Sequence, residues 1–391
     1  MTLRALTVFG TRPEAIKLAP VVLKLNETAG VESLVCVTGQ HREMLDQVLD
    51  LFAIRPDYDL DLMKPGQSLF DVTTRCLTGM RDVLLESKPD VVLVQGDTTT
   101  CFAAALAAFY MEVPVAHVEA GLRTWNLRAP FPEEANRVLT SRITNFHFAP
   151  TEQARKNLLA EGIEPNRIWV TGNTVIDALL MVRDIVADKA AGQWRAHFGE
   201  ELTVRLQDPA RRMVLITGHR RENFGQGFVD LCNAIRTLAV RHPYWDFVYP
   251  VHMNPNVQQP VHAILSGLDN VFLIAPQDYE PFVWLMNRSQ MILTDSGGVQ
   301  EEAPSLGKPV LVMRDVTERP EAVEAGTVRL VGTSTQRIVE GVETVMTDES
   351  VYRRMSRAHN PYGDGTAAAQ IVSRLVEAFD SKPACVAPAA G

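Results

Sequence analysis

The stretch from Thr294 to Ala322, TDSGGVQEEAPSLGKPVLVMRDVTERPEA, carries the densest set of groups that could do chemistry. It follows the apolar run Met291-Ile292-Leu293, which reads as a buried strand, and Ser296-Gly297-Gly298 then opens a helix. Consecutive glycines let backbone N–H groups approach an anion closely, and a helix N-terminus adds partial positive charge. A phosphate therefore fits on Ser296, Gly297 and Gly298. Glu302, over a turn further on, suits a pair of ribose hydroxyls, as acidic residues do in dinucleotide folds. Together they make a pocket for a nucleoside diphosphate. The competing reading is an ordinary glycine turn followed by a solvated glutamate.

A second set of ionisable residues stands in the first turns after apolar strands. Arg12 and Lys17 follow Leu6–Phe9, Asp97 follows Val91–Val94, Glu119 follows Val113–Val118, and His219, Arg220 and Arg221 follow Met213–Thr217. Glu133 and Glu134 follow Pro130-Phe131-Pro132, a rigid connection that starts a helix with two acids at its N-terminus. Each has a bland alternative: Arg12 paired with Glu14, Asp97 capping the helix that begins at Thr98, Glu133 paired with Arg137. Gathered at strand ends, they instead suggest a cleft between domains, with carboxylates for general acid and base work and cations to hold a leaving diphosphate. His117 and His147 lie in apolar runs and read as core. His242 before Pro243 reads as a surface turn, and Phe224-Gly225-Gln226-Gly227 lacks the strand-to-helix context of a nucleotide motif.

The elements that position these groups alternate strand and helix. Leu6–Phe9 precedes a helix from Glu14 to Leu25, Leu34–Val37 precedes Glu43–Phe52, and Val91–Val94 precedes Thr98–Tyr110. Continuous apolar strands of this kind belong to a parallel sheet covered on both faces. The pattern changes around Ala149 to Asp177, with a helix near Glu152–Ala160, Ile168–Val170 and the turn Gly172-Asn173. After a charged, less periodic stretch from Asp184 to Arg212, a second series runs through Met213–Thr217, Phe228–Val240, Phe247–Val251, Val271–Ile274, Phe282–Arg288, Met291–Leu293 and Val310–Val312. The expectation is an α/β protein of two Rossmann-like domains, 1–175 and 176–365, with a helix over 366–380 joining the first and a disordered tail over 381–391. At 391 residues, 46% apolar and 22% charged, the chain has the balance of a cytosolic protein of two ordinary cores. A formal charge of −9 disfavours nucleic acid and membrane surfaces. Five scattered cysteines suggest neither a disulfide framework nor a metal site. The N-terminus runs directly into a strand, and no run approaches eighteen apolar residues.

The segments FGTRPEAIKLAP, TGQHREMLDQVL, VQGDTTT, HVEAGLRT, PEEANR, TGNTVIDAL, HRRENFG, YPVHMNPNV, TDSGGVQEEAPSLGKPVLVMRDVTERPE and NPYGDG resemble the non-hydrolysing UDP-N-acetylglucosamine 2-epimerases, from Val8 to about Asp364. The resemblance implies two facing Rossmann-like domains of glycosyltransferase-B type, with UDP on the second and the sugar in the cleft. It implies interconversion of UDP-N-acetylglucosamine and UDP-N-acetylmannosamine, supplying mannosamine units for surface polysaccharide, without a cofactor, in a cytoplasmic homodimer. Asp97, Glu119 and Glu133 are then the acid/base carboxylates, and His219 and Lys17 stabilise the diphosphate. Arg12, Gln277, Phe282, Ser296, Gly297, Gly298, Glu302 and Arg319 bind UDP, with Phe282 near the uracil. A second, regulatory substrate pocket is implied at Gln40, Gln67, Arg220 and His252. Glu43 and Gly66 depart from it, standing where some members have a glutamine and an arginine. Two other activities stay open on this fold: a hydrolysing epimerase releasing N-acetylmannosamine and UDP, and a glycosyltransferase. A UDP-sugar sensor without catalysis is disfavoured by intact Asp97, Glu119, Glu133 and His219.

Overall fold

The computed structural model describes residues 2–39, 42–64 and 66–380. Thirteen strands are described among them: β1 (Leu3–Phe9), β2 (Val31–Val37), β3 (Tyr58–Asp59), β4 (Val91–Gln95), β5 (Val115–Val118), β6 (Phe146–Ala149), β7 (Ile168–Val170), β8 (Arg212–Thr217), β9 (Trp245–Pro250), β10 (Val271–Ile274), β11 (Met291–Thr294), β12 (Val310–Val312) and β13 (Val328–Leu330). The first seven form one sheet in the order β3-β2-β1-β4-β5-β6-β7, and the other six a second in the order β10-β9-β8-β11-β12-β13. Every pairing in both is parallel. The chain divides accordingly into one compact unit up to Ala178 plus the chain from Tyr362, and a second from Leu179 to Pro361. Both sheets are doubly wound. In the first, the chain winds outward from β1 and then crosses back to β4; in the second it reverses between β8 and β11. Ligands of such sheets sit beyond the carboxyl ends of the strands where the order reverses.

Burial explains why the strands read as unbroken apolar runs. Val91 to Val94 are fully buried in β4, as are Val214 to Ile216 in β8, because helices cover both faces. In the first unit the helices Leu69–Ser87 and Thr99–Tyr110 pack on each other. The run of alanines Ala103, Ala104, Ala107 and Ala108 permits their close approach over Leu6, Val8, Val92 and Met80. In the second unit Phe228, Ile235 and Leu238 of the helix Gln226–Arg241 pack with Phe247, Tyr249 and Val342. The helix Ala367–Asp380 packs on the helix Arg12–Glu27. Its first N–H groups, from Ala367 and Ala368, donate to Asp177 at 3.3 and 2.9 Å. Burial pushes the Asp177 carboxyl up to about 6.

Several elements differ from the sequence expectation. The stretch from Asp184 to Arg212, which lacks a periodic stripe, holds the helices Ala191–Phe198 and Glu200–Gln207. Aromatic stacking anchors the first of them: Trp284 lies 4.8 Å from Trp194 and 5.0 Å from Phe198, centroid to centroid. The helix Leu69–Ser87, which the sequence expectation did not include, buries Val72, Cys76, Met80, Val83 and Leu84, while Thr73, Thr74 and Thr78 return their hydroxyls to the carbonyls four residues back. It begins at a reciprocal capping box formed by Ser68 and Asp71. No described helix is long and apolar enough to cross a membrane. The tail 381–391 and Gln40 lie outside the described residues.

Candidate active site

In the first unit the sequence-derived groups converge on the ends of β1, β4 and β5. The residue after β5 is Glu119, which is 6% exposed and has a φ of +63°, a conformation that non-glycine residues seldom adopt. Ladder bonds on both sides hold it there: Gly96 N–H donates to Val118 O at 3.1 Å and Ala120 N–H donates to Phe148 O at 3.0 Å. The side chain is ringed by donors. Lys17 Nζ lies 2.7 and 2.6 Å from its two oxygens, Asn173 Nδ2 lies 3.2 Å from Oε1, and Gln95 Nε2 donates to Oε2. Lys17 belongs to the helix Arg12–Glu27. Its ammonium, implied to neutralise the diphosphate, is here the counter-ion of Glu119.

Asp97 follows β4 by one turn. Arg137 donates to it from Nε at 2.9 Å and from Nη2 at 2.6 Å, and donates to Glu134 from Nη1 at 3.0 Å. Burial works against the Arg137 charge, but Asp97 and Glu134 outweigh it and leave the guanidinium harder to deprotonate than usual. Asp97 is not a helix cap: Thr98 takes that place and accepts from Cys101 N–H at 3.0 Å. Nor does Arg137 pair with Glu133, whose Oε2 is buried with no hydrogen-bond partner among the described residues. Arg12 does not pair with Glu14. The Glu14 carboxylate accepts from Gly10 N–H at 3.0 Å, Thr11 N–H at 2.8 Å and Thr98 Oγ1 at 2.5 Å, tying the turn after β1 to the one after β4. Burial raises its pKa against those donors. Arg12 forms no ion pair among the described residues. The bland pairings fail in all three places.

In the second unit the turns after β8 and β11 meet at Asp295. Fully buried, it accepts from the backbone N–H of His219 at 2.9 Å and of Arg220 at 2.9 Å, and from Asn223 Nδ2 at 3.3 Å. His219 Nδ1 lies 3.4 Å from Asp295 Oδ1, and its ring stacks on His252 with centroids 5.7 Å apart. Burial lowers the His219 pKa, opposed by the Asp295 charge. Ser296 precedes the short helix Gly297–Glu302, and its side chain caps nothing within that helix. A β-carbon on Gly297 would stand 3.8 Å from Arg220 Nη2, so Arg220 reaches over that turn. Glu302, 7% exposed, accepts from Tyr279 Oη at 2.7 Å, and burial with the Glu302 charge pushes the phenol far above its ordinary range. Tyr279 opens the helix that carries Phe282. Arg319 Nε donates to the buried Glu301, and Gln277 Oε1 lies 2.7 Å from His197 Nε2. Of the remaining second-pocket residues, Gln67 donates to Leu62 O at 2.5 Å and His252 Nδ1 accepts from Asn254 N–H at 3.1 Å, while Glu43 and Gly66 are exposed.

Sequence reasoning missed Gln95, Asn173, Asp295, Tyr279 and Glu301 among the residues that hold these groups, and gave Arg137 a different partner. Asp295 and Glu301 lie within the opening glycine-turn stretch, so their proximity to it was the available signal. The two buried core histidines fall where expected, His117 at 1% and His147 at 0% exposure. His242 is no simple surface turn: it stacks on Trp245 with centroids 3.7 Å apart and contacts Glu343 at 3.0 Å.

Two doubly wound, Rossmann-like units, each with ionisable side chains gathered where its strand order reverses, define an α/β enzyme of nucleotide chemistry. A family model described as UDP-N-acetylglucosamine 2-epimerase matches residues 23–376, and the chain belongs to that family. A UDP-N-acetylglucosamine 2-epimerase of Escherichia coli K12 is 60% identical over 375 residues, covering 95% of this chain and 98% of that protein. The crystal structure of UDP-GlcNAc 2-epimerase from Neisseria meningitidis bound to UDP-GlcNAc is 53% identical with a TM-score of 0.86, covering 96% of this chain and 100% of that one. The Methanocaldococcus jannaschii UDP-GlcNAc 2-epimerase, solved in complex with UDP-GlcNAc and UDP, is 35% identical with a TM-score of 0.76 and covers 96% and 100% of the two chains.

Proposed function

We propose that this chain interconverts UDP-N-acetylglucosamine and UDP-N-acetylmannosamine at carbon 2 by elimination and re-addition, without hydrolysis. The carbon-2 proton passes to a carboxylate as the bond from carbon 1 to UDP breaks, leaving 2-acetamidoglucal. UDP then adds back at carbon 1 while a proton arrives at carbon 2 on the opposite face. Asp97, Glu119 and Glu133 carry the protons. His219 and Lys17 offset the charge of the departing diphosphate, and Arg12, Ser296, Gly297, Gly298, Gln277, Phe282, Glu302 and Arg319 hold UDP.

The observation that carries this reading is Glu119. A carboxylate that is buried, conformationally strained and surrounded by Lys17, Gln95 and Asn173 is costly to maintain, and such groups cluster where a protein does chemistry. Asp97 stands at the end of the adjacent strand. Epimerisation in deuterium oxide, followed by proton NMR, tests the route. The expected product carries deuterium at carbon 2, with traces of 2-acetamidoglucal and UDP on long incubation. Product without deuterium overturns the elimination route, and stoichiometric UDP with free N-acetylmannosamine overturns the non-hydrolysing one.

A further inference from the structure

We propose that Arg137 is a positioning residue for the reaction, fixing Asp97 in its working orientation without engaging Glu133. This rests on the elimination reading above. The helix Glu133–Ile143 presents Glu133, Glu134, Asn136 and Arg137 within its first five residues. Consecutive residues grip Asp97 at two levels: Asn136 Nδ2 donates to its carbonyl at 2.9 Å, and Arg137 Nε and Nη2 donate to its Oδ2 at 2.9 and 2.6 Å. Backbone and carboxylate are thus both located from the same helix.

The guanidinium is itself located. Its remaining arm donates to Glu134 Oε2, and Glu134, 1% exposed, accepts the backbone N–H groups of Thr124 and Trp125 on its other oxygen at 3.0 Å each. Arg137 is 15% exposed in its side chain, so little water competes for the pair. Arg137 is four residues from Glu133 and three from Glu134, and either spacing permits a helical ion pair. The structure takes Glu134. Glu133 Oε2 consequently stays buried without a partner among the described residues, at the first position of the same helix. A planar fork with three engaged nitrogens locks both carboxylates of this array, which a lysine ammonium on a flexible stem cannot reproduce.

Arg137→Gln, Arg137→Lys and Glu134→Gln test the inference against wild type, with kcat, KM and thermal melting measured together. A displacement of about 1 Å at a reacting group can cost on the order of 100-fold in rate. Arg137→Gln and Arg137→Lys should therefore lose about 10- to 100-fold in kcat with KM for UDP-N-acetylglucosamine within a few-fold. Glu134→Gln should fall in the same direction, because its amide N–H₂ turns a donor toward Arg137. Arg137→Ala supplied with free guanidinium ion should recover part of the lost rate. If the Gln variant does not fold, Arg137→Lys decides. Variants that melt early yet turn over within threefold of wild type, or that lose KM and kcat together without guanidinium rescue, overturn the assignment. Wild-type epimerisation without deuterium at carbon 2 would instead overturn the elimination reading, independently of any Arg137 variant.

Discussion

Replacing Glu119 by glutamine tests the acid/base assignment with the least change of shape. The native carboxylate offers only acceptors, and its neighbours Lys17, Gln95 and Asn173 present donors. Glutamine keeps one acceptor oxygen and turns an N–H₂ toward a donor. Two costs follow, and they can be separated. The stability cost is that of leaving an ammonium and an amide short of an acceptor. Lys17 retains 18% side-chain exposure, so the loss falls below that of a fully buried broken pair, at about 1–3 kcal/mol. For a unit of this size that lowers the melting temperature by roughly 2–12 °C. The catalytic cost is removal of a proton carrier, about 100- to 10,000-fold in kcat, or about 3–5 kcal/mol of barrier. UDP affinity, measured by calorimetry, should change by less than about threefold, since the second unit carries most of the groups proposed above to bind UDP. Adding Lys17→Met to Glu119→Gln removes the stranded ammonium, so melting should recover while kcat stays low. A Glu119→Gln enzyme that turns over within a few-fold of wild type, or whose kcat returns with stability in the double variant, would refute the reasoning.

Tyr279→Phe removes the 2.7 Å bond that orients Glu302. UDP should bind up to about tenfold more weakly by calorimetry, with kcat at saturating substrate retained, and an unchanged dissociation constant would show that Glu302 needs no such support. Acid stability follows from His117 and His147, held neutral by burial with pKa values lowered to about 3 and about 4. Because the folded values lie below the unfolded one near 6.5, their stabilisation is complete above that pH and is lost as pH falls, by about 1.4 kcal/mol per unit for each. Asp177 runs the other way: its folded value near 6 exceeds that of the unfolded chain, so its contribution is complete in acid and lost as pH rises through 6. Asp177→Asn should therefore steepen the fall of the urea midpoint between pH 6 and 4, and an unaltered slope would exclude this account.

The division between what the sequence revealed and what it concealed has a physical cause. Parallel strands are buried on both faces, so β1, β4, β5, β8 and β11 appear as largely apolar runs, and the turns after them can be located by counting. Arg12, Asp97, Glu119, His219 and Ser296 were legible for that reason. The two-residue β3 carries too little pattern to be seen.

Contacts are a different matter, because side-chain partners are chosen in three dimensions among several that local spacing allows. Glu133 and Glu134 are equally plausible partners for Arg137 on a helix, and the contacts that accompany the choice come from elsewhere in the chain: Asp97, 40 residues away, on Arg137, and the Thr124 and Trp125 N–H groups on Glu134. Asn173 meets Glu119 across 54 residues, and Asp295 fastens the His219 turn across 76. No periodicity reports such separations. The residues visible in the sequence are those that offer a group at a strand end, and the hidden ones are those that fix the group's direction. Asp97 illustrates the consequence. Its location follows from β4 alone, whereas its orientation depends on a helix that begins after β5, so a substitution at Asn136 or Arg137 can disable a turn whose own sequence is untouched.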